Sequence, residues 1–217
     1  MVATGNRAER AAGTRELILT AAERLFAEHG VSAVSNRQVG EAAGQGNNFA
    51  VGYHFGSKAD LVRAIVRRHS VPIERVRERM LVEVEGSREV RDWVTCMVRP
   101  FTEHLAALGN PTWFARFGAQ VMTDPGLREI IIDEALSTEP IQRIVDGLNR
   151  CLPALPLPVH LERSAMARNL MSHTLAEREA ALAVGKPTTK STWDATATGL
   201  IDAIVGLWPA PVTPTGV

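Results

Sequence analysis

Side chains able to do chemistry are sparse in this chain of 217 residues, and they fall into a few groups. Glu103-His104 and His173 with Glu177 bring together the carboxylates and imidazoles that acid–base chemistry would use, as isolated pairs at helical spacing. Cys96 and Cys151 are the only cysteines, too few for a metal cage and under no need to pair. No His-Glu-x-x-His, no Gly-x-Ser-x-Gly and no phosphate-cradling glycine loop accompanies them, so a helical enzyme finds no motif here. Isolated acid–imidazole pairs at helical spacing belong far more often to a surface or a core than to a catalytic site. The remaining group is of another kind. Gln45, Asn47 and Asn48 put three carboxamides within four positions, and a carboxamide carries a donor and an acceptor side by side, the pattern that matches an adenine edge. Asn47 and Asn48 suit the cap of a short helix equally well. No metal or cofactor is called for.

What must position these side chains is helical. Leu17, Ile18, Ala21, Leu25 and Phe26 recur at helix spacing, with Thr14 placed to cap the start and Gly30 to end it. Ser35-Asn36-Arg37-Gln38 has the form of a capping box, and Val39, Ala42 and Ala43 supply the apolar face of a short second helix ending at Gly44. After a turn at 45–48 a third short helix is expected over about 47–54. Ser57, with Asp60 three residues on, caps a fourth with Leu61, Ala64 and Ile65 facing inward. Beyond residue 70 longer helices follow, with a kink or new start at Pro72 and a bend near Pro100. Two strong ones close the chain, about 159–184 and 191–208. No strand pattern or repeat is found, so the fold class is all-α: an amino-terminal three-helix helix-turn-helix module and a carboxy-terminal helical bundle. The expected division is 1–70, with 1–12 a flexible arm, and 71–217, with 209–217 a flexible tail.

Composition agrees with a globular chain: 45% hydrophobic, 22% charged, formal net charge zero. No window approaches the roughly 18 consecutive apolar residues of a membrane helix. Met1 to Glu16 is polar rather than a secretory leader, so the cytoplasm is the expected compartment, without membrane attachment. The zero balance conceals an asymmetry. Residues 1–70 hold nine Lys/Arg against six Asp/Glu, and residues 71–217 hold fifteen against eighteen. A small basic module joined to a larger acidic body suits a nucleic-acid reader attached to something else. A short polar helix after a glycine-containing turn fits the major groove, which is about 12 Å wide.

The run Thr14–Gly30, then Arg37-Gln38-Val39-Gly40-Glu41-Ala42-Ala43-Gly44, then Tyr53-His54-Phe55-Gly56-Ser57-Lys58-Ala59-Asp60-Leu61, resembles the TetR/AcrR family of bacterial transcriptional regulators. The resemblance covers about residues 13–68. It implies phosphate contacts from Tyr53 and His54 at the end of the recognition helix and from Lys58 at the start of the fourth. Ser35 and Arg37 then lie in the DNA-reading segment, about 35–58, with Gln45, Asn47 and Asn48 toward the bases. Two departures stand out: Gly52 occupies a position commonly tyrosine in the family, and the turn between Gly44 and Tyr53 is one residue longer. Phe55 and Leu61 are assigned to the core. Arg7 and Arg10 sit where an arm could reach DNA, although such segments are more often solvated tails.

In the larger part, five of the eleven aromatic residues lie between 93 and 117. Any one of them reads most simply as core. Taken together with the family's habit of binding an effector in this region, Trp93, Met97, Phe101, Trp113, Phe114, Phe117 and Met166 become candidates to line an apolar site, with Gln120, Asn169 and His173 as polar anchors. The last two helices carry broad apolar faces (Leu161, Ala165, Met166, Leu170 and Leu175; Leu200, Ile201, Ile204, Val205 and Trp208). The resemblance implies that they pair two copies into a homodimer; burial within one subunit is the other reading. The sequence thus points to a ligand-responsive regulator of double-stranded DNA, a repressor by family habit, released from a palindromic operator by a small apolar effector acting through the fourth helix. The alternatives are a helical protein-interaction module, which leaves the polar third helix unexplained, and an enzyme without DNA binding.

Overall fold

The computed structural model describes residues 3–47 and 49–213, with side chains from residue 9 onward. Among these the chain is helical throughout, in ten helices without a strand. It divides into two compact units. One joins the residues up to Ser70 with Thr112–Glu134, and the other joins Val71–Pro111 with the chain from Ala135 onward. The first differs from the linear division at residue 70 by drawing in a distant segment, for a reason that lies in the core.

That first unit contains α1 (Ala3–His29), α2 (Asn36–Ala42), α3 (Ala50–Phe55), the start of α4 (Lys58–Glu83), α6 (Phe114–Thr123) and most of α7 (Pro125–Leu136). Ile18, Ala22 and Phe26 stand at four-residue intervals along α1 and are wholly buried against Val39, Val51, Leu61 and Ile65. Phe117 and Val121 of α6 complete the same cluster, with the Phe117 ring 6.4 Å from Phe26. α6 thereby forms part of the wall around Phe26. Leu17, counted in the apolar pattern of the first helix, is exposed, because the buried stripe is centred on Ile18 and the preceding residue lies about 100° around the helix. The expected arm is also different: residues 3–12 continue α1. Ala3, Ala8, Ala11 and Ala12 with Arg and Glu between them are good helix formers, and Gly5 and Gly13 do not interrupt the helix. Arg10 is exposed on it, while the Arg7 side chain lies outside the described residues.

One polar knot is buried in this unit. Glu23 of α1 accepts from Arg68 and, at 2.9 Å, pairs with Nε2 of His69 on α4. The His69 ring stacks on Phe114 of α6 at 3.9 Å. Three helices therefore meet around one carboxylate, whose burial is offset by its two partners.

The second unit holds the rest of α4, α5 (Val90–Leu108), α8 (Glu139–Cys151), α9 (Leu157–Ala183) and α10 (Trp193–Leu207), with α5 packed between α8 and α10. α4 continues through Pro72 rather than restarting there. The chain after α10 is tied rather than loose as far as it is described. Arg163, buried on α9, donates to the carbonyls of Trp208 at 2.5 Å and Ala210 at 2.6 Å. Cys96 is fully buried, and desolvation, reinforced by Asp92 and Glu83, pushes its thiol up to about 11. It therefore stays protonated and inert at neutral pH.

Candidate nucleic-acid interface

The reading segment is built by two short helices and the turn between them. Ser35 caps α2 in a complete capping box: its hydroxyl accepts from the Gln38 backbone N–H at 3.2 Å, and its own N–H donates to Gln38 Oε1 at 2.8 Å. The helix ends in a Schellman motif. Gly44 takes φ +69°, its N–H donates to the Glu41 carbonyl, and the Gln45 N–H reaches back to Gly40. Gly40 faces α3 and the turn before it, and a Cβ there would lie in ordinary contact, 3.9 Å from Val51 and 4.0 Å from the Asn47 carbonyl. Val51 and Phe55 are buried and hold α3 down by one side. Its other side is open: Tyr53 is 82% exposed and Phe49, just before the helix, 80%.

The carboxamides do less reaching than their spacing promises. Gln45 turns back, its Nε2 donating to the Ala43 carbonyl at 3.1 Å. Asn47 Oδ1 accepts from the Phe49 N–H at 2.9 Å, an Asx turn that launches α3, which agrees with the capping alternative. Asn48 lies outside the described residues. The third helix accordingly begins at Ala50 rather than 47. Arg37 is exposed on α2 and pairs with Glu41 one turn on at 2.8 Å, which raises its pKa further. Tyr53 meets the half-buried His54 ring edge-on at 5.2 Å, while the His54 carbonyl accepts from Arg15, whose guanidinium lies 4.2 Å over Phe55. Lys58 is half-buried, with Nζ donating to the carbonyls of Val34 at 2.6 Å and Val31 at 3.0 Å. Ser57 and Asp60 cap α4, and their hydrogen bond, Oγ to Oδ2 at 2.6 Å, is the main cause of the lowered Asp60 pKa. Beside His54 an open groove of about 660 Å³ is lined by Arg15, Arg63, Arg67 and Arg68. Its charges are largely balanced internally: Glu134 pairs with Arg63 at 3.2 Å and with Arg67 at 2.7 Å.

A capped helix, a Schellman turn and a second short helix held down on one side and open on the other are the geometry of a helix-turn-helix. Comparison with known proteins gives the same result. Residues 18–65 match the family described as bacterial regulatory proteins, tetR family, and residues 95–206 match a tetracyclin repressor-like C-terminal domain. The chain is 39% identical over 173 residues to the HTH-type transcriptional repressor AcnR of Corynebacterium efficiens, covering 74% of this chain and 81% of that one. The chain belongs to the TetR family. Among solved structures, a TetR family regulator from Marinobacter aquaeolei VT8 shares the fold with a TM-score of 0.57 at 15% identity, over 92% of this chain and 97% of that one. This TetR-family member is therefore a DNA-binding transcriptional regulator with an amino-terminal helix-turn-helix and a carboxy-terminal helical domain.

The aromatic residues between 93 and 117 do not form one group. Trp113, Phe114, Phe117 and Gln120 belong to the first unit: Phe117 is core, Trp113 and Phe114 pack against it, and a Cβ on Gly30 would meet Gln120 Oε1 at 3.4 Å. Trp93 belongs to the second unit and is structural, packed so closely on Gly147 that a Cβ there would fall 2.4 Å from its ring. Phe101 and Met97 are half-buried on α5, with the buried Arg77 guanidinium 5.2 Å from the Phe101 ring centre. Met166, Asn169 and His173 are exposed on α9, as are Leu157 and Leu161 on another side of that helix. Leu200, Ile201, Ile204 and Trp208 of α10 are buried in the subunit, in line with the within-subunit reading of that face. Among the described residues no group of His, Cys, Asp and Glu is placed to hold a metal ion, and no helix is long and apolar enough to cross a membrane.

The residue that sequence reasoning missed is Phe49. A phenylalanine ahead of Ala50-Val51 passes for core; its neighbours Asn47 and Asn48 were the available signal that this turn faces outward.

Proposed function

We propose that this regulator is a cytoplasmic homodimeric repressor. It would place α3 of each subunit in the major groove of a palindromic operator and leave it when a small effector occupies the helical body. The observation that carries the reading is the one-sided anchoring of α3: Val51 and Phe55 are buried while Tyr53 stands out 82% exposed. Tyr53 and His54 are the proposed phosphate contacts, with Arg37 and the Ser35 end of α2 at the other edge of the segment. Repression is supported by the description of the Corynebacterium efficiens relative as a repressor. For the dimer, the support is the exposed apolar pair Leu157 and Leu161, one turn apart on α9. Met97 and Phe101 are the candidates retained for the effector, because neither is consumed by the core as Trp93 and Phe117 are. Such a response needs an effector preference of a few kcal/mol between two arrangements of the dimer.

The test is selection from random duplexes of about three helical turns. Enrichment of one palindrome whose half-sites are separated by roughly 34 Å or a multiple agrees with paired α3 helices. No enrichment, and no retention at low salt, overturns the reading.

A further inference from the structure

Phe49 stands 80% exposed on a segment where a large apolar side chain has no structural task. Local hydrogen bonds hold it there: its N–H donates to Asn47 Oδ1 at 2.9 Å, and its carbonyl accepts from the Tyr53 N–H at 2.9 Å. Phe49 and Tyr53 therefore follow each other one turn apart on the same open face, with Gly52 beside them. Nothing in the subunit requires that glycine. A Cβ built on Gly52 meets no heavy atom within 4 Å, and its φ is not positive. A glycine inside a helix is unfavourable relative to alanine. Its missing side chain therefore leaves clearance for something outside the subunit. From Ala42 through Ser57 there is no Asp, Glu, Lys or Arg. Phe49 thus offers an apolar contact suited to the edges of bases, while Gln45 and Asn47 are turned to local bonds.

We infer that Phe49 reads sequence by packing on the 5-methyl group of a thymine in the major groove, with Gly52 providing the clearance that lets the helix come that close. Thymine alone among the four bases presents an apolar group there, and phenylalanine is among the side chains that meet it. Removing a phenyl contact from one methyl group costs binding without touching the fold, because Phe49 packs on no core. The inference rests on the DNA-binding reading above, and the experiment separates the two.

A labelled duplex selected from the random pool by the wild-type protein is titrated by fluorescence anisotropy. Each thymine is then replaced singly by deoxyuridine, which deletes the methyl group and keeps every hydrogen bond. For the wild type, one deoxyuridine per half-site is expected to weaken binding by about fourfold, the worth of one buried methyl-sized group. For Phe49→Ala the same replacement is expected to change nothing, with the melting temperature as in the wild type. Gly52→Ala is expected to raise the melting temperature slightly while weakening binding at least tenfold. A wild type that binds the duplex but responds to no deoxyuridine, or a Phe49→Ala variant that responds as the wild type does, overturns the Phe49 assignment and leaves DNA binding standing. Gly52→Ala binding as well as the wild type removes the clearance role. A wild type that selects and binds no duplex overturns both readings.

Discussion

A basic side chain next to a DNA-reading helix has two uses, and Lys58 shows that one group can be committed to the fold before any phosphate arrives. Its ammonium spans two carbonyls of the loop joining α1 to α2, so it fixes where α2 begins and leaves one N–H for a further partner. Lys58→Ala is expected to cost about 1.5–3 kcal/mol in urea unfolding, the usual worth of hydrogen bonds to a charged group. It should also weaken all duplexes alike and lower the slope of log K against log salt by about one. An unchanged slope with lowered stability leaves Lys58 as a loop tie only. Its place in the family's motif was legible from the order of residues around it. Its carbonyl partners were not, since Val31 and Val34 lie 24 or more positions away. Asn47 illustrates the converse: the carboxamide's fitness for adenine and for an Asx turn are the same chemistry, and only coordinates tell them apart. Phe49 escaped because apolar type predicts burial, whereas this side chain is exposed.

Caps and breakers made α2 and the start of α4 readable, whereas Thr14, expected to cap the first helix, lies inside α1 because residues 3–12 extend it. Ser35 with Gln38 and Ser57 with Asp60 form the boxes their spacing announces, and Gly44 ends α2 in the left-handed conformation its type permits. What periodicity cannot supply is the partner of an apolar face. Leu200, Ile201 and Ile204 fit an interface between subunits or a seat against α5 equally well, and they are buried in the subunit. Nor could it show that α6 belongs with α1, because the Phe26–Phe117 contact joins residues ninety-one positions apart. The α5–α8 pair makes a sharp prediction of the same kind. With a Cβ on residue 147 only 2.4 Å from the Trp93 ring, Gly147→Ala must displace a fully packed indole. A loss of about 1–3 kcal/mol in denaturant unfolding is expected from such overpacking. Gly199→Ala, where the nearest atom is the end of the Lys190 side chain at 3.7 Å, should be neutral or slightly stabilising. Equal effects at the two sites would mean that α8 does not approach α5 as described.

At the scale of the whole molecule, the first unit is more than a helix-turn-helix attached to a body. Its core is completed by Phe117 and Val121 of α6, and the buried Glu23 carboxylate gathers α1, α4 and α6 through His69 and Phe114. The reading segment therefore rests on residues drawn from more than a hundred positions of chain. The family and its all-α class were legible from the ordered motifs between residues 13 and 68. The proposed effector site in the helical body was less so, because the aromatic run from 93 to 117 splits between two units, with Trp93 and Phe117 buried and Trp113 and Phe114 packed against the core of the first. The proposed contact with DNA rests on the open face of α3. Its most direct test is the affinity of the protein for its selected duplex, measured beside a Tyr53→Ala, His54→Ala double variant whose melting temperature is recorded in parallel. Loss of at least tenfold in binding with a melting temperature within a few degrees of the wild type is the predicted result; a variant that holds the duplex as tightly as the wild type would contradict it.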